Sequence, residues 1–233
     1  LSTDARRRLV PAALEEAIRE DRARGRRPFL VVANVGTTNT GAIDPLPEIL
    51  TIAREHGLWV HADAAYGGFF RLAAGGSALL RGIEDCDSIT LDPHKGLFLP
   101  YGLGALLVRD GGALARAHRD TASYVQDVAD EGSLGFADLS PELSRDFRGL
   151  RVWLPLMLHG VAAFREQLAE KLSLARWAYR ELSSDPCFEM LDEPQLSVVA
   201  FRLRAPAEDA ERLGPELLRR VNARRRVFLS STR

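Results

Sequence analysis

Lysine is the scarce residue of this sequence: of 31 basic side chains only Lys95 and Lys171 are lysines, and the other 29 are arginines. A guanidinium stays protonated and cannot form an imine, whereas a desolvated lysine can lose its proton and attack a carbonyl. Each lysine therefore invites a specific question. Cysteine is scarce as well. Cys86 and Cys187 are too few for a disulfide framework and stand in no metal-like spacing, so a reducing, cytoplasmic setting is the expectation. Long apolar runs are absent, and stretches such as Phe29–Val35 are far too short to span a bilayer. No secretory leader is read at Leu1–Val10, which is polar and Arg-rich with no apolar stretch behind it. A formal net charge of -1 gives no bulk pull toward nucleic acid or an anionic membrane.

What is there is ordinary in bulk, with 46% hydrophobic and 27% charged residues over a length that allows one large core or two modest domains. Pro11 to Arg24 reads as a helix with proline at its start and Gly25 at its stop. Phe29–Val35 and Leu58–Ala62 read as strands buried on both faces. Between them, Asp44 looks like an N-cap with Pro45 in the first helical position, and Leu46, Ile49, Leu50 and Ala53 fall at helical spacing up to Gly57. Strand, helix and strand in so short a stretch make a βαβ unit of a parallel sheet.

Further strands are expected at Ser88–Leu91 and Gly104–Val108, then a helix start and a long mobile loop over 110–145. Phe147 to about Leu182 is helical in pattern, interrupted at Gly160. Ser197–Leu203 alternates like an antiparallel strand, Glu208–Ala223 like an amphipathic helix and Arg226–Leu229 like a strand. The fold class expected is α/β, a parallel-rich sheet flanked by helices over 1–159, followed by part of a smaller α+β domain over 160–233.

Three polar turns directly follow expected strands: Gly36-Thr37-Thr38, His61 to Gly68, and Asp92-Pro93-His94-Lys95-Gly96. In open parallel sheets ligands sit at the carboxyl ends of strands, so these turns are placed to face one pocket. The last is rich in breakers and reads as neither strand nor helix. Lys171, by contrast, lies in a helical run and reads as a solvated surface residue. Asp63 ends an apolar strand, where a carboxylate is costly without a positive partner or strong hydrogen bonds. It either caps its turn or pairs with a cationic ring nitrogen.

The strings Asn34-Val-Gly-Thr-Thr38, Ile43-Asp-Pro-Leu46, Leu58 to Gly68 and Asp92-Pro-His-Lys95 resemble the group II pyridoxal-phosphate (PLP) decarboxylases. The 32-residue separation of Asp63 from Lys95 fits that family, and the similarity continues through Asp146–Trp153 to Val198–Leu203. The resemblance implies PLP fold type I, an amino-acid substrate and a homodimer. It implies that Lys95 forms the Schiff base with PLP, that Asp63 pairs with the pyridine nitrogen, and that Ala65 packs on one ring face. Thr38 would lie near the cofactor's 3-hydroxyl, and His94 would reach the phosphate or support the Schiff base. Tyr124 looks like the catalytic-loop tyrosine that protonates the α-carbon after carbon dioxide leaves, since a phenol can donate while a closed loop excludes water. His61 reads as structural. The C-terminal motifs and Tyr101, as a pocket wall, point toward an aromatic substrate.

Two departures from the family pattern stand out. Many members have Asn where this chain has Asp92, and an acid near the phosphate would repel it unless turned away or protonated. The upstream phosphate-binding turn and ring-stacking histidine are not in the sequence, so a fragment of a longer protein is expected, with inactivity as a real alternative. Another fold-type-I PLP lyase or aminotransferase would share Asp63 and Lys95 but not the Tyr124 loop. A metal-dependent hydrolase using His61, Asp63 and His94 is the reading from another class, and it leaves Lys95 without a role.

Overall fold

The computed structural model describes residues 1–118, 135–142 and 144–232. Helix α1 (Pro11–Ala23) starts on proline, whose missing N–H costs nothing in a first turn. Strand β1 (Leu30–Asn34) leads through a turn into α2 (Leu46–His56), which stops at Gly57. Gly57 takes the left-handed conformation (φ 69°) that closes a helix and that other residues enter at a cost. Strand β2 (Trp59–Asp63) then lies parallel to β1, from Leu30 opposite Trp59 to Asn34 opposite Asp63.

Two 3-10 turns and a one-turn helix α3 (Gly76–Leu79) lead to β3 (Ser88–Leu91), parallel to β2. One further helical turn, α4 (Pro93–Gly96), precedes β4 (Ala105–Val108), which is antiparallel to β3. The sheet order is β1-β2-β3-β4, so the parallel-rich α/β expectation holds. Helix α5 (Gly111–His118) follows, and α6 (Leu150–Ser184) carries a non-helical residue at Gly160 (φ 72°, ψ 157°), where the sequence pattern breaks. Strands β5 (Phe188–Met190) and β6 (Phe201–Leu203) form an antiparallel pair, and α7 (Ala207–Ala223) closes the described fold. Among the described residues no helix is long and apolar enough to cross a membrane.

The core lies on one side of the main sheet. Val31, Ala33, Val60 and Ala62 point into it against Leu46, Ile49 and Ala53 of α2, and Leu168 of α6 joins the same cluster. The expectation that β1 and β2 are buried on both faces is corrected. Their exposure alternates residue by residue, with Leu30 42% and Val32 45% exposed. A five-residue apolar run cannot distinguish a strand covered once from one covered twice when both faces carry apolar side chains.

Three more expectations change. Asp44 is not an N-cap; its side chain is 3% exposed and accepts hydrogen bonds from the N–H of Leu9 (2.7 Å), the N–H of Asn34 (2.7 Å) and Asn34 Nδ2 (3.2 Å). The carboxylate thus ties the N-terminal segment to β1, and α2 begins without a side-chain cap. The alternating stretch from Ser197 enters the sheet only at Phe201, and its first half docks on the main body instead. Arg226–Leu229 forms no strand, because the Asn222 side chain takes both backbone groups of Leu229, at 2.8 and 2.9 Å.

Candidate active site

The open face of the sheet carries the polar residues. Parallel register places Asn34, Asp63 and Thr90 in one row across β1, β2 and β3, with His61 beside Ser88 in the row before. His61 is held at both ring nitrogens, Nδ1 to Ser88 Oγ at 2.8 Å and Nε2 to Thr90 Oγ1 at 3.1 Å. The Trp59 indole N–H donates to the same Ser88 oxygen at 2.8 Å. Both His61 nitrogens are thus engaged by hydroxyls of the neighbouring strand. Among the described residues no three His, Cys, Asp or Glu side chains gather to hold a metal ion.

Asp63 ends β2 with an exposed side chain, and among the described residues its Oδ1 accepts one local hydrogen bond, from the Ala65 N–H at 3.2 Å. The turn beyond it is tightly built. The Ala64 N–H donates to Thr90 O at 3.1 Å, and the Gly67 N–H donates to Val35 O at 3.0 Å. A side chain on Gly67 would come within 2.2 Å of that carbonyl oxygen, so only glycine fits. Tyr66 hydrogen bonds to the Ser197 hydroxyl at 2.6 Å and accepts from the Ser197 N–H at 3.1 Å, and burial pushes its phenol above the usual tyrosine value. Leu196, almost fully buried, packs against Gly36 and Gly67, and Gln195 Oε1 accepts from the Ile43 N–H at 3.0 Å. The segment 195–197 therefore keys the C-terminal part of the chain onto the turns after β1 and β2.

The turn after β3 is joined directly to this one, because the Asp92 N–H donates to Ala65 O at 3.1 Å. Asp92 precedes α4, a single helical turn where proline and glycine had suggested no regular structure: Pro93 is tolerated in a first turn, and Gly96 accepts the close approach of Phe69. The helical turn brings residue i+3 back over residue i, so Lys95 Nζ lies 2.7 Å from Asp92 Oδ2. His94 Nδ1 lies 2.7 Å from the carbonyl oxygen of Leu103, which can only accept, so the proton sits on that nitrogen. Its Nε2 is left facing Asp92 Oδ2 at 3.9 Å, and its ring centroid is 5.0 Å from that of the exposed Tyr101.

Of the residues singled out in the sequence, Asp63, Ala65, His94 and Lys95 are thus brought together by two hydrogen-bonded turns at one end of the sheet. Thr38 is exposed on the turn after β1, the neighbouring strand. In that turn it is Thr37 that bonds inward, to Thr40 Oγ1 at 2.8 Å and from the Ala42 N–H at 3.0 Å. Tyr124 lies outside the described residues. Lys171 is not a freely solvated lysine: its Nζ sits 4.0 Å from the centroid of the Phe98 ring, and burial lowers its pKa. Phe98 itself holds a left-handed backbone (φ 57°) just beyond the Lys95 turn.

The sequence reading missed the Asp92–Lys95 ion pair, the Ser88 and Thr90 support of His61, and the Tyr66–Ser197 link. Alternation alone could have revealed the second, since His61 and Asp63 share a face of β2, as Ser88 and Thr90 do of β3. Tyr66 and Ser197 are 131 residues apart, and no local signal joins them.

Comparison with known proteins matches this arrangement to one family. Residues 1–204 match the family model described as the pyridoxal-dependent decarboxylase conserved domain. The aromatic-L-amino-acid decarboxylase of Bacillus atrophaeus is 38% identical over 238 residues, covering 100% of this chain and 50% of that protein. Tyrosine decarboxylase 2 of Arabidopsis thaliana is 34% identical, covering 96% of this chain and 42% of its own length. The crystal structure of Oryza sativa TDC with PLP and tryptamine superposes with a TM-score of 0.90 at 30% identity, over 98% of this chain and 49% of that one. The chain spans about half the length of the relatives it matches. With the joined Asp63 and Lys95 turns at the sheet end and a family model that matches most of its length, this chain belongs to the pyridoxal-dependent decarboxylase family.

Proposed function

We propose that the protein is a PLP-dependent carboxy-lyase that removes carbon dioxide from an L-amino acid of the aromatic class, leaving the amine. The observation that carries this reading is the Asp92 N–H to Ala65 O hydrogen bond, which fixes the Lys95 turn beside the Asp63 turn. The donor set fits the cofactor: an exposed strand-end carboxylate with a local hydrogen bond, an amine on the adjoining turn, and the small Ala65 following the carboxylate. When bound, PLP supplies an electron sink for the electron pair left at the α-carbon as carbon dioxide departs.

The chain's own residues do the rest. Lys95 would hold the cofactor covalently. The Asp63 carboxylate would keep a proton on the ring nitrogen of the bound cofactor. Ala65 leaves room for the ring, and Thr38 orients the 3-hydroxyl from the turn after β1. His94, with its Nδ1–H pinned to Leu103, presents Nε2 to the site. Tyr124 delivers the proton that replaces the carboxylate. A homodimer of PLP fold type I is part of the same reading, with the division near Gly160 between the cofactor domain and a smaller C-terminal one. The aromatic preference is supported by the relatives named for aromatic substrates.

The test is borohydride trapping with mass mapping, joined to product analysis. Mixing with PLP, reduction and digestion should place the label on Lys95 and not on Lys171, and Lys95→Ala should abolish it. Incubation with aromatic, acidic and basic L-amino acids should then release amine from the aromatic group first. Equal labelling of both lysines, or none, means that this chain has no organised cofactor site, and the same result in the full-length protein overturns the cofactor assignment. Preferential turnover of an acidic amino acid overturns the substrate class alone.

A further inference from the structure

The Asp92 carboxylate touches the one atom on which the proposed chemistry turns. Lys95 Nζ lies 2.7 Å from Asp92 Oδ2, a charge-assisted contact in which the carboxylate is 17% exposed and the lysine 45%. Asp92 is not free to turn away as a unit. Its N–H is bound to Ala65 O at 3.1 Å, and its carbonyl accepts from Lys95 N at 2.9 Å and Gly96 N at 3.2 Å. The other nitrogen near that carboxylate oxygen, His94 Nε2, is farther off at 3.9 Å. A lysine nitrogen attacks an aldehyde only through its lone pair, and an ammonium has none.

We infer that Asp92 is a positioning residue that holds Lys95 as a paired ammonium and shields it from carbonyl reagents until the cofactor displaces the pair. This rests on Lys95 being the attachment residue. Attachment then requires that the ion pair open and the ammonium give one proton to solvent. The nitrogen lone pair bonds to the aldehyde carbon, and the carbonyl oxygen leaves as water. Opening a partly exposed pair slows the amine by about two- to fivefold, the range that corresponds to such ion pairs.

The scarcity of lysine makes the experiment self-calibrating, because Lys171 lies over an aromatic ring rather than against a carboxylate and serves as the internal reference. The protein without cofactor is treated briefly with N-hydroxysuccinimidyl acetate, and the ratio of Lys95 to Lys171 acetylation is read by mass spectrometry. Asp92→Asn should raise that ratio about two- to fivefold. In the wild type the ratio should also rise between low and 1 M salt, and in the variant salt should leave it flat, since screening weakens an ion pair and not its amide replacement. A ratio unchanged by the substitution, or a salt response equal in both proteins, overturns the inference. If the variant misfolds, the wild-type salt series alone decides, and a flat series overturns it. Acetylation needs no cofactor, so failure here leaves the PLP trap on Lys95 standing, and failure of the trap leaves the ion-pair result standing.

Discussion

Replacing Gly67 with alanine tests whether the Asp63 turn is fixed by its contact with β1. Gly67 has an ordinary right-handed backbone (φ -82°, ψ -20°), so alanine meets no conformational strain there and any cost is steric. Its added methyl would lie 2.2 Å from Val35 O and 2.9 Å from Leu196 Cδ1. Leu196 has rotamers to yield with, but the Val35 oxygen is backbone in a strand end and also accepts the Gly67 N–H at 3.0 Å. Forcing the turn away costs about 1–3 kcal/mol in overpacking and about 1 kcal/mol more for the weakened hydrogen bond. A total near 3 kcal/mol corresponds to a fall in Tm of roughly 6–12 °C for a chain of this size. Gly111, with nothing within 4 Å of an added methyl, is the control, and Gly111→Ala should stay within about 1 kcal/mol of wild type. Thermal unfolding by circular dichroism reads both. Trimming Leu196 in the Gly67→Ala background should not restore stability, because the backbone clash remains. Equal Tm values for the two glycine variants, or full rescue by Leu196→Ala, would refute the argument.

Other expectations follow from the same geometry. Burial raises the Tyr66 phenol above its usual value near 10, so the unfolded chain ionises first and stability falls as pH rises beyond that value. Tyr66→Phe should cost about 1 kcal/mol at pH 7 through the lost Ser197 contacts yet flatten the alkaline decline, as read from melts between pH 7 and 11. Cys86 is buried, with its thiol pushed up to about 11, while Cys187 is exposed. A thiol reagent at pH 8 should therefore label Cys187 alone until the protein unfolds, and peptide mapping checks this. Asp44→Ala should destabilise by about 2–4 kcal/mol in denaturant titration, because the Leu9 and Asn34 N–H groups lose their acceptor.

How much was legible in the sequence follows from the range of the interactions concerned. Helix ends at Pro11 and Gly57, strands at Leu30 and Trp59, and the break at Gly160 are set by neighbours along the chain, and local chemistry located them. Asp44 was misread because Asp-Pro is a local capping signal, whereas its partner at Leu9 lies 35 residues upstream. Arg226–Leu229 had the composition of a strand, but strand formation requires a second chain segment, and Asn222 took its backbone groups first. At the candidate site, the nearness of the turns that carry Asp63, His94 and Lys95 was legible because each follows a strand of one sheet. The contacts of Asp92 with Lys95 and of Thr90 with His61 were not assigned, since one depends on a helical turn hidden among breakers and the other on strand register.

The docking of residues 195–197 also bears on the order in which the molecule is made. The turn after Asp63 is tied down through Tyr66 by a residue 131 positions later, so this end of the sheet holds contacts of high sequence separation. Such contacts carry more loop-closure entropy than local helices and the β1–β2 pair, so they are expected to form later. On a ribosome the strands would be complete long before Ser197 emerges, and the turn bearing Asp63 would wait half-formed for it. Maturation of the site is then a late step of synthesis, and a nascent chain arrested before Leu196 should hold its sheet yet fail to lock Tyr66.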